Sequence, residues 1–183
     1  EASSIDESDV YFSETLLSQL KLDFQIDSTS IYATGYSNGG MMAYGLACSR
    51  KDLFAAIGIM SGIMLPATCA NPEPTSVIHF HGSDDWVLPL GGNEEYQSVE
   101  EVINFWLDHN GMTSTQVVST DFNQGDVLRE AYQLEEEAKS IILYTIKKEF
   151  GQPGGHVWFS TPIANESPNQ ILWDFLSSHQ LKI

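Results

Sequence analysis

Gly35-Tyr36-Ser37-Asn38-Gly39 is a G-x-S-x-G pentapeptide, and its context decides the reading of the whole chain. A strand-like run precedes it (Ser30-Ile31-Tyr32-Ala33-Thr34). A helix-forming run follows it (Gly40-Met41-Met42-Ala43-Tyr44-Gly45-Leu46-Ala47). A serine on a sharp strand-to-helix turn stands exposed at the tip, which separates a nucleophile elbow from a chance match. Glycines on both sides let strand and helix backbones approach, because no Cβ intervenes. The helix start also brings the positive end of its dipole to the serine. There the backbone N–H of Asn38 is the candidate donor to a developing oxyanion. The alternative is a glycine-rich turn with a capping serine, and the strand before and helix after weigh against it.

A serine hydroxyl needs a base, and the base needs an orienting acid. Behind an elbow of this kind the chain order should be serine, then carboxylate, then histidine. Ser76-Val77-Ile78-His79-Phe80-His81 reads as a strand that ends in Gly82-Ser83-Asp84-Asp85-Trp86, a turn presenting two carboxylates. Ile141-Ile142-Leu143-Tyr144-Thr145-Ile146 reads as another strand, leading to the glycine-rich Gly151-Gln152-Pro153-Gly154-Gly155-His156. In open α/β sheets, ligands bind at the carboxyl ends of the strands. Ser37, an aspartate at 84 or 85, and His156 can therefore converge. His109 precedes a helix stop and His179 closes the last helix, so both read as helix-end caps. His79-x-His81 has the spacing of a metal pair, but no third ligand stands nearby and no metal is expected.

Beyond these residues the chain resembles a known family. Ser37-Asn38-Gly39-Gly40-Met41-Met42-Ala43-Tyr44, Leu46-Ala47-Cys48 and Asp52-Leu53-Phe54-Ala55-Ala56 resemble the elbow region of the polyhydroxybutyrate depolymerase and feruloyl esterase group. These are α/β-hydrolases similar to carbohydrate esterases of family 1. His81-Gly82-Ser83-Asp84-Asp85 resembles the H-G-x-x-D acid loop of that group, which assigns the acid role to Asp85. Gly154-Gly155-His156-Val157-Trp158 resembles its G-G-H-x-W segment, which carries the histidine. The resemblance runs from about Asp9 to the chain end. It implies an α/β-hydrolase fold, a mostly parallel sheet flanked by helices, in one domain over residues 1–183. It also implies a Ser37–His156–Asp85 triad without cofactor or metal, acting on feruloyl, acetyl-xylan or polyhydroxyalkanoate esters. Trp86 and Trp158, beside the acid and the histidine, are candidates to line an aromatic acyl pocket, with simple packing as the alternative. Cysteines are common in the group at the places of Cys48 and Cys69. Here they bracket one strand and either form a disulfide or remain two buried thiols.

In one respect the chain departs from the group. Only about thirty residues precede Ser30, and they read as one helix, Tyr11–Leu20, capped by Ser8 or Asp9, with apolar residues at helical spacing. The early strands of the group, and the segment supplying a second oxyanion donor, have no counterpart. The expectation is an N-terminally incomplete domain whose serine strand has an open apolar edge.

The 183 residues carry a formal charge of −17, with 8 basic against 25 acidic side chains. That balance argues against nucleic acid and anionic membrane surfaces and favours neutral substrates, polymeric or oligomeric. No membrane-spanning run is present, and the resemblance implies secretion. Glu135-Glu136-Glu137 reads as an exposed turn. Val99 to Leu107 reads as an amphipathic helix capped by Ser98, with Val99, Val102, Ile103 and Trp106 on its core stripe. Gln116–Thr120 and Val127–Tyr132 read as strands around a turn, and a final helix covers about Asn169–His179. Two other function classes fit the same chain. One is a serine peptidase of prolyl-peptidase type, which uses a similar elbow and acid loop. The other is a non-catalytic hydrolase-like interaction module.

Overall fold

The structure, a computed structural model, describes residues 7–50, 52–65, 69, 73–112, 116–133 and 139–181. The Glu135–Glu137 turn lies outside the described residues. In chain order the elements are α1 (Glu7–Asp23), β1 (Tyr32–Tyr36), α2 (Asn38–Ser49), β2 (Ala56–Met60), β3 (Ser76–Gly82), α3 (Val99–His109), β4 (Val118–Phe122), β5 (Val127–Gln133), β6 (Ser140–Ile146), β7 (Lys148–Glu149), β8 (Gln152–Pro153) and α4 (Pro168–Ser177). The main sheet has the order β1-β2-β3-β6-β5-β4. Its first four strands are parallel, and β5 and β4 continue it antiparallel.

The parallel strands are short apolar runs because helices cover both faces of the sheet. The period of two along each strand assigns side chains to faces. Ile57, Ile59 and Val77 pack in one cluster with Met41, Tyr44, Ala47, Val102, Ile103 and Trp106 of α2 and α3. Ala56, Met60, Ile78 and Phe80 pack in the other cluster, with Leu172, Phe175 and Leu176 of α4. Each such aliphatic or aromatic side chain contributes about 1.5–3 kcal/mol when fully buried. Helix α3 starts as its sequence predicts. Ser98 and Glu101 form a reciprocal capping box, with Ser98 Oγ accepting from Glu101 N and Glu101 Oε2 accepting from Ser98 N at 2.7 Å. Ser167 caps α4 ahead of Pro168 at the first helical position. His109 and His179 each place Nδ1 on the carbonyl four residues back, Phe105 at 2.8 Å and Phe175 at 2.7 Å, as helix-end donors should.

Cys48, at the end of α2, and Cys69, in the loop after β2, form a disulfide with a Cα–Cα separation of 4.9 Å. A closed loop of this size restricts the unfolded chain enough to stabilise the fold by about 3 kcal/mol.

Helix α1 differs from expectation in two ways. It is already helical at Glu7, so Ser8 and Asp9 sit in its first turn rather than before it. Its apolar stripe reaches the core only through Val10, while Tyr11, Phe12, Leu16 and Leu22 are exposed. A two-pronged ion pair of Glu14 with Arg50, at the end of α2, fastens the helix, with Arg50 Nη2 2.8 Å from Glu14 Oε2. The Arg50 guanidinium hydrogen bond holds the Glu14 carboxyl below its ordinary range. Beside this attachment runs an open apolar groove lined by Leu16, Leu17, Tyr32, Met42, Leu46 and Phe54. Among the described residues β1 and β4 are the two edge strands of the main sheet.

Candidate active site

Ser37 follows the last residue of β1 and precedes the first of α2. Its φ of 54° and ψ of −120° lie outside the regions open to ordinary L-residues. Such backbone persists only where the surroundings over-determine it. Ser37 N donates to Met60 O at 3.0 Å, and Ser37 O accepts from Met41 N at 3.0 Å. The turn is tight enough that a Cβ on Gly35 would lie 2.2 Å from the carbonyl carbon and oxygen of Gly39. Asn38 opens α2, so its N–H belongs to the first turn, at the positive end of the helix dipole.

The structure brings Ser37, His156 and Asp85 together from three strand ends. His156 Nε2 lies 2.8 Å from Ser37 Oγ, and His156 Nδ1 lies 2.8 Å from Asp85 Oδ2. The Asp85 side chain is fully buried, whereas neighbouring Asp84 is exposed and bonded to Ser83. Burial of a carboxylate requires donors, and Asp85 has them on both oxygens. Oδ1 accepts from Val87 N at 2.9 Å and Leu88 N at 2.8 Å. With Oδ2 taken by His156, the imidazole Nδ1 must carry the proton. Nε2 is then left with its lone pair toward the serine hydroxyl. The arrangement can therefore accept a proton from Ser37 and stabilise the resulting imidazolium.

The loop bearing His156 is held along its backbone. Gly154 O accepts from Asp84 N at 2.8 Å, His156 O from Tyr36 Oη at 2.9 Å, and Val157 O from Ser61 Oγ at 3.0 Å. Further along, Glu149 Oε1 accepts from Ser160 N at 2.8 Å and Thr161 N at 3.0 Å. Gly82 lets the acid and histidine loops touch: a Cβ there would meet Gly154 O at 2.2 Å. The ring of Tyr36 lies against that of His156, with centroids 5.1 Å apart. Burial, and to a lesser extent the Asp85 charge, pushes the Tyr36 phenol above its ordinary value, so it stays a donor.

Tyr36 and Ser61 are not singled out by the sequence pattern. Tyr36 fills a variable slot of the pentapeptide. The clue to Ser61 is register: β1 pairs Tyr36 with Met60, so Ser61 lies beside Ser37 and shares its positive φ, 46° against 54°. Trp86 follows Asp85 directly in the chain, and Trp158 lies two residues after His156. Trp86 is 83% exposed and Trp158 40%, the latter donating to Asn169 Oδ1 at 2.8 Å. Simple core packing does not account for Trp86. His79 and His81 are buried and bonded to each other rather than turned toward a common external point. Among the described residues, no group of three or more His, Cys, Asp or Glu could hold a metal ion.

Several known proteins are similar to this chain. It is 28% identical over 169 residues to the probable feruloyl esterase C of Aspergillus terreus, covering 92% of this chain and 57% of that protein. It is 28% identical to the feruloyl esterase C of Emericella nidulans over 91% of this chain and 57% of that protein. The chain thus spans 57% of the length of these curated relatives. The solved acetyl xylan esterase from Aspergillus awamori superposes with a TM-score of 0.62 at 16% identity, over 91% of this chain and 66% of that one. This likeness shows the α/β-hydrolase fold. A model of the phospholipase/carboxylesterase family matches residues 1–124, a span that holds Ser37 and Asp85 and stops short of His156. On that match, with a mostly parallel sheet and helices on both faces, the chain belongs to the phospholipase/carboxylesterase family of α/β-hydrolases.

Proposed function

We propose that this chain is the catalytic domain of a serine carboxylic-ester hydrolase, with Ser37 as nucleophile, His156 as base and Asp85 as orienting acid. The supporting observation is the unbroken line of hydrogen bonds from Asp85 Oδ2 through the His156 ring to Ser37 Oγ, at 2.8 Å on each side. His156 Nε2 takes the hydroxyl proton as Ser37 Oγ bonds to the ester carbonyl carbon, and the carbonyl oxygen becomes an oxyanion. Asn38 N–H supplies one donor to that oxyanion. Collapse expels the alcohol, which takes the proton back from His156, and leaves an acyl-serine. Water, deprotonated by the same histidine, then releases the acid and restores Ser37.

The substrate class follows from three features. The names of the relatives indicate feruloyl and acetyl-xylan esters. The charge of −17 disfavours anionic substrates. The exposed indoles of Trp86 and Trp158 offer apolar faces beside the triad for an aromatic acyl group or a neutral polymer. Polyhydroxyalkanoate belongs to the same chemical range. Among the described residues no helix is long and apolar enough to cross a membrane. The Cys48–Cys69 disulfide fits a secreted protein, because such bonds persist in oxidising compartments.

Intact mass after exposure to a fluorophosphonate tests this reading. One adduct on Ser37, absent in Ser37→Ala, is the expected result, with a nitrophenyl ester turned over much faster than a prolyl amide. Faster prolyl amide cleavage would make the chain a peptidase. A folded sample that takes no adduct would make it a non-catalytic module or an incomplete site.

A further inference from the structure

Behind the acid loop lies a second line of hydrogen bonds that the proposed chemistry does not use. Val77, His79 and His81 alternate on the β3 face that meets α2 and α3. His79, His81 and Tyr44 are each 0% exposed. Tyr44 Oη lies 2.8 Å from His79 Nδ1, His79 Nε2 lies 3.0 Å from His81 Nδ1, and His81 Nε2 lies 2.8 Å from Leu88 O. His81 Nε2 is also 3.5 Å from Asp85 Oδ2, the oxygen that receives His156.

The direction of this line is fixed from one end. A carbonyl oxygen only accepts, so His81 Nε2 carries a hydrogen and its Nδ1 is an acceptor. His79 Nε2 must then carry the hydrogen donated to His81, which leaves His79 Nδ1 to accept from the Tyr44 hydroxyl. Burial lowers the proton affinity of both imidazoles and raises that of the Tyr44 phenolate, which keeps every member neutral, as the assignment requires. In the opposite tautomer His81 would turn a lone pair toward Leu88 O and Asp85 Oδ2, three acceptors facing one another in a buried site.

We propose that His79 is a positioning residue: accepting from Tyr44 and donating to His81 Nδ1, it holds the buried His81 ring in place, and His81 Nε2–H in turn anchors the Asp85–Leu88 loop beneath His156. The inference rests on reading Ser37, His156 and Asp85 as the triad. It links the nucleophile helix to the acid loop through the interior of the sheet face, apart from the contacts at the site itself.

Two substitutions test it. His79→Leu fills similar space and leaves His81 Nδ1 without a donor. His79→Gln keeps an N–H at about the reach of Nε2. With both folded, as judged by their melting curves, His79→Leu should lower kcat on a nitrophenyl ester roughly 10- to 100-fold while KM stays within about twofold. His79→Gln should recover most of the loss. A readout independent of turnover is the downfield proton resonance of His156 Nδ1–H, present in the wild type and in His79→Gln and broadened away in His79→Leu. A folded His79→Leu that keeps that resonance and the wild-type kcat overturns the proposal. So does a wild type in which 15N spectra show an Nδ1–H tautomer at His79 or His81, a test that needs no variant to fold. A wild type with the resonance but without turnover or a Ser37 adduct would count against the esterase reading alone, and the variants' resonances would still decide the positioning role.

Discussion

Asp85→Asn is expected to lower kcat about 10⁴-fold on nitrophenyl esters, with the fold intact. The size of the effect follows from which oxygen each partner holds. Oδ1 accepts two backbone hydrogens, from Val87 and Leu88, so an asparagine must present its carbonyl there. Its NH₂ then occupies the place of Oδ2 and donates toward His156 Nδ1. A donor at that position turns His156 into the tautomer with hydrogen on Nε2, which faces Ser37 as a donor and cannot take its proton. Binding geometry is preserved, so the loss should fall on kcat with little change in KM. A carboxylate at position 84 offers no rescue, because Asp84 points outward. Steady-state kinetics with a melting curve decide the matter. An Asp85→Asn variant within tenfold of wild-type kcat would remove Asp85 from the triad.

Ser37→Gly should abolish turnover and at the same time raise stability by about 1 kcal/mol. The backbone of Ser37, at φ 54° and ψ −120°, is in a region that glycine visits freely and a residue with Cβ does not. Such strain costs of the order of 1–3 kcal/mol. Glycine relieves it, and the greater freedom of glycine in the unfolded chain returns about 0.5–1 kcal/mol of the gain. For a chain of this size, 1 kcal/mol is worth about 2–4 °C in Tm. Ser37→Ala is the control. It loses the hydroxyl but keeps the Cβ, so it should match Ser37→Gly in inactivity and the wild type in Tm. If Ser37→Gly melts below Ser37→Ala, the elbow stores no strain that glycine can release.

The legible parts of this protein were those governed by local rules. The Ser37 pentapeptide between a strand-type run and a helix-type run and the Ser98 cap of α3 each declare themselves within a few residues, whereas the last helix starts at Pro168 behind a Ser167 cap, a residue ahead of the expected Asn169. His156 and its place after β6 were legible because a glycine-rich loop ending in histidine follows an apolar run. The choice between Asp84 and Asp85 was not legible from the strand-end pattern alone, since both sit in the same turn and differ only in which way the turn rotates them. The resemblance selected Asp85, and the structure sets it against His156. Contacts that depend on strand register stayed hidden. Tyr36 on His156 O, Ser61 on Val157 O and the Tyr44–His79 bond join residues 35 to 120 positions apart. Helix α1 misled for a related reason. Helical spacing of Tyr11, Phe12 and Leu16 predicts an apolar stripe, but the spacing is silent about whether a partner surface lies against it.

The tight contact beneath Ser37 has a consequence for how such chains are found. The two glycines of the pentapeptide look equivalent in a text pattern and are not equivalent in space. At Gly35 an added methyl group would collide with main-chain atoms of Gly39, which have nowhere to go. At Gly39 it would meet nothing within 4 Å. Gly39 also lies in the first turn of a helix, where alanine is favoured over glycine by up to about 1 kcal/mol. Natural drift at this turn should therefore be one-sided, with alanine admitted at the second position and excluded at the first. A search that insists on both glycines will pass over intact elbows.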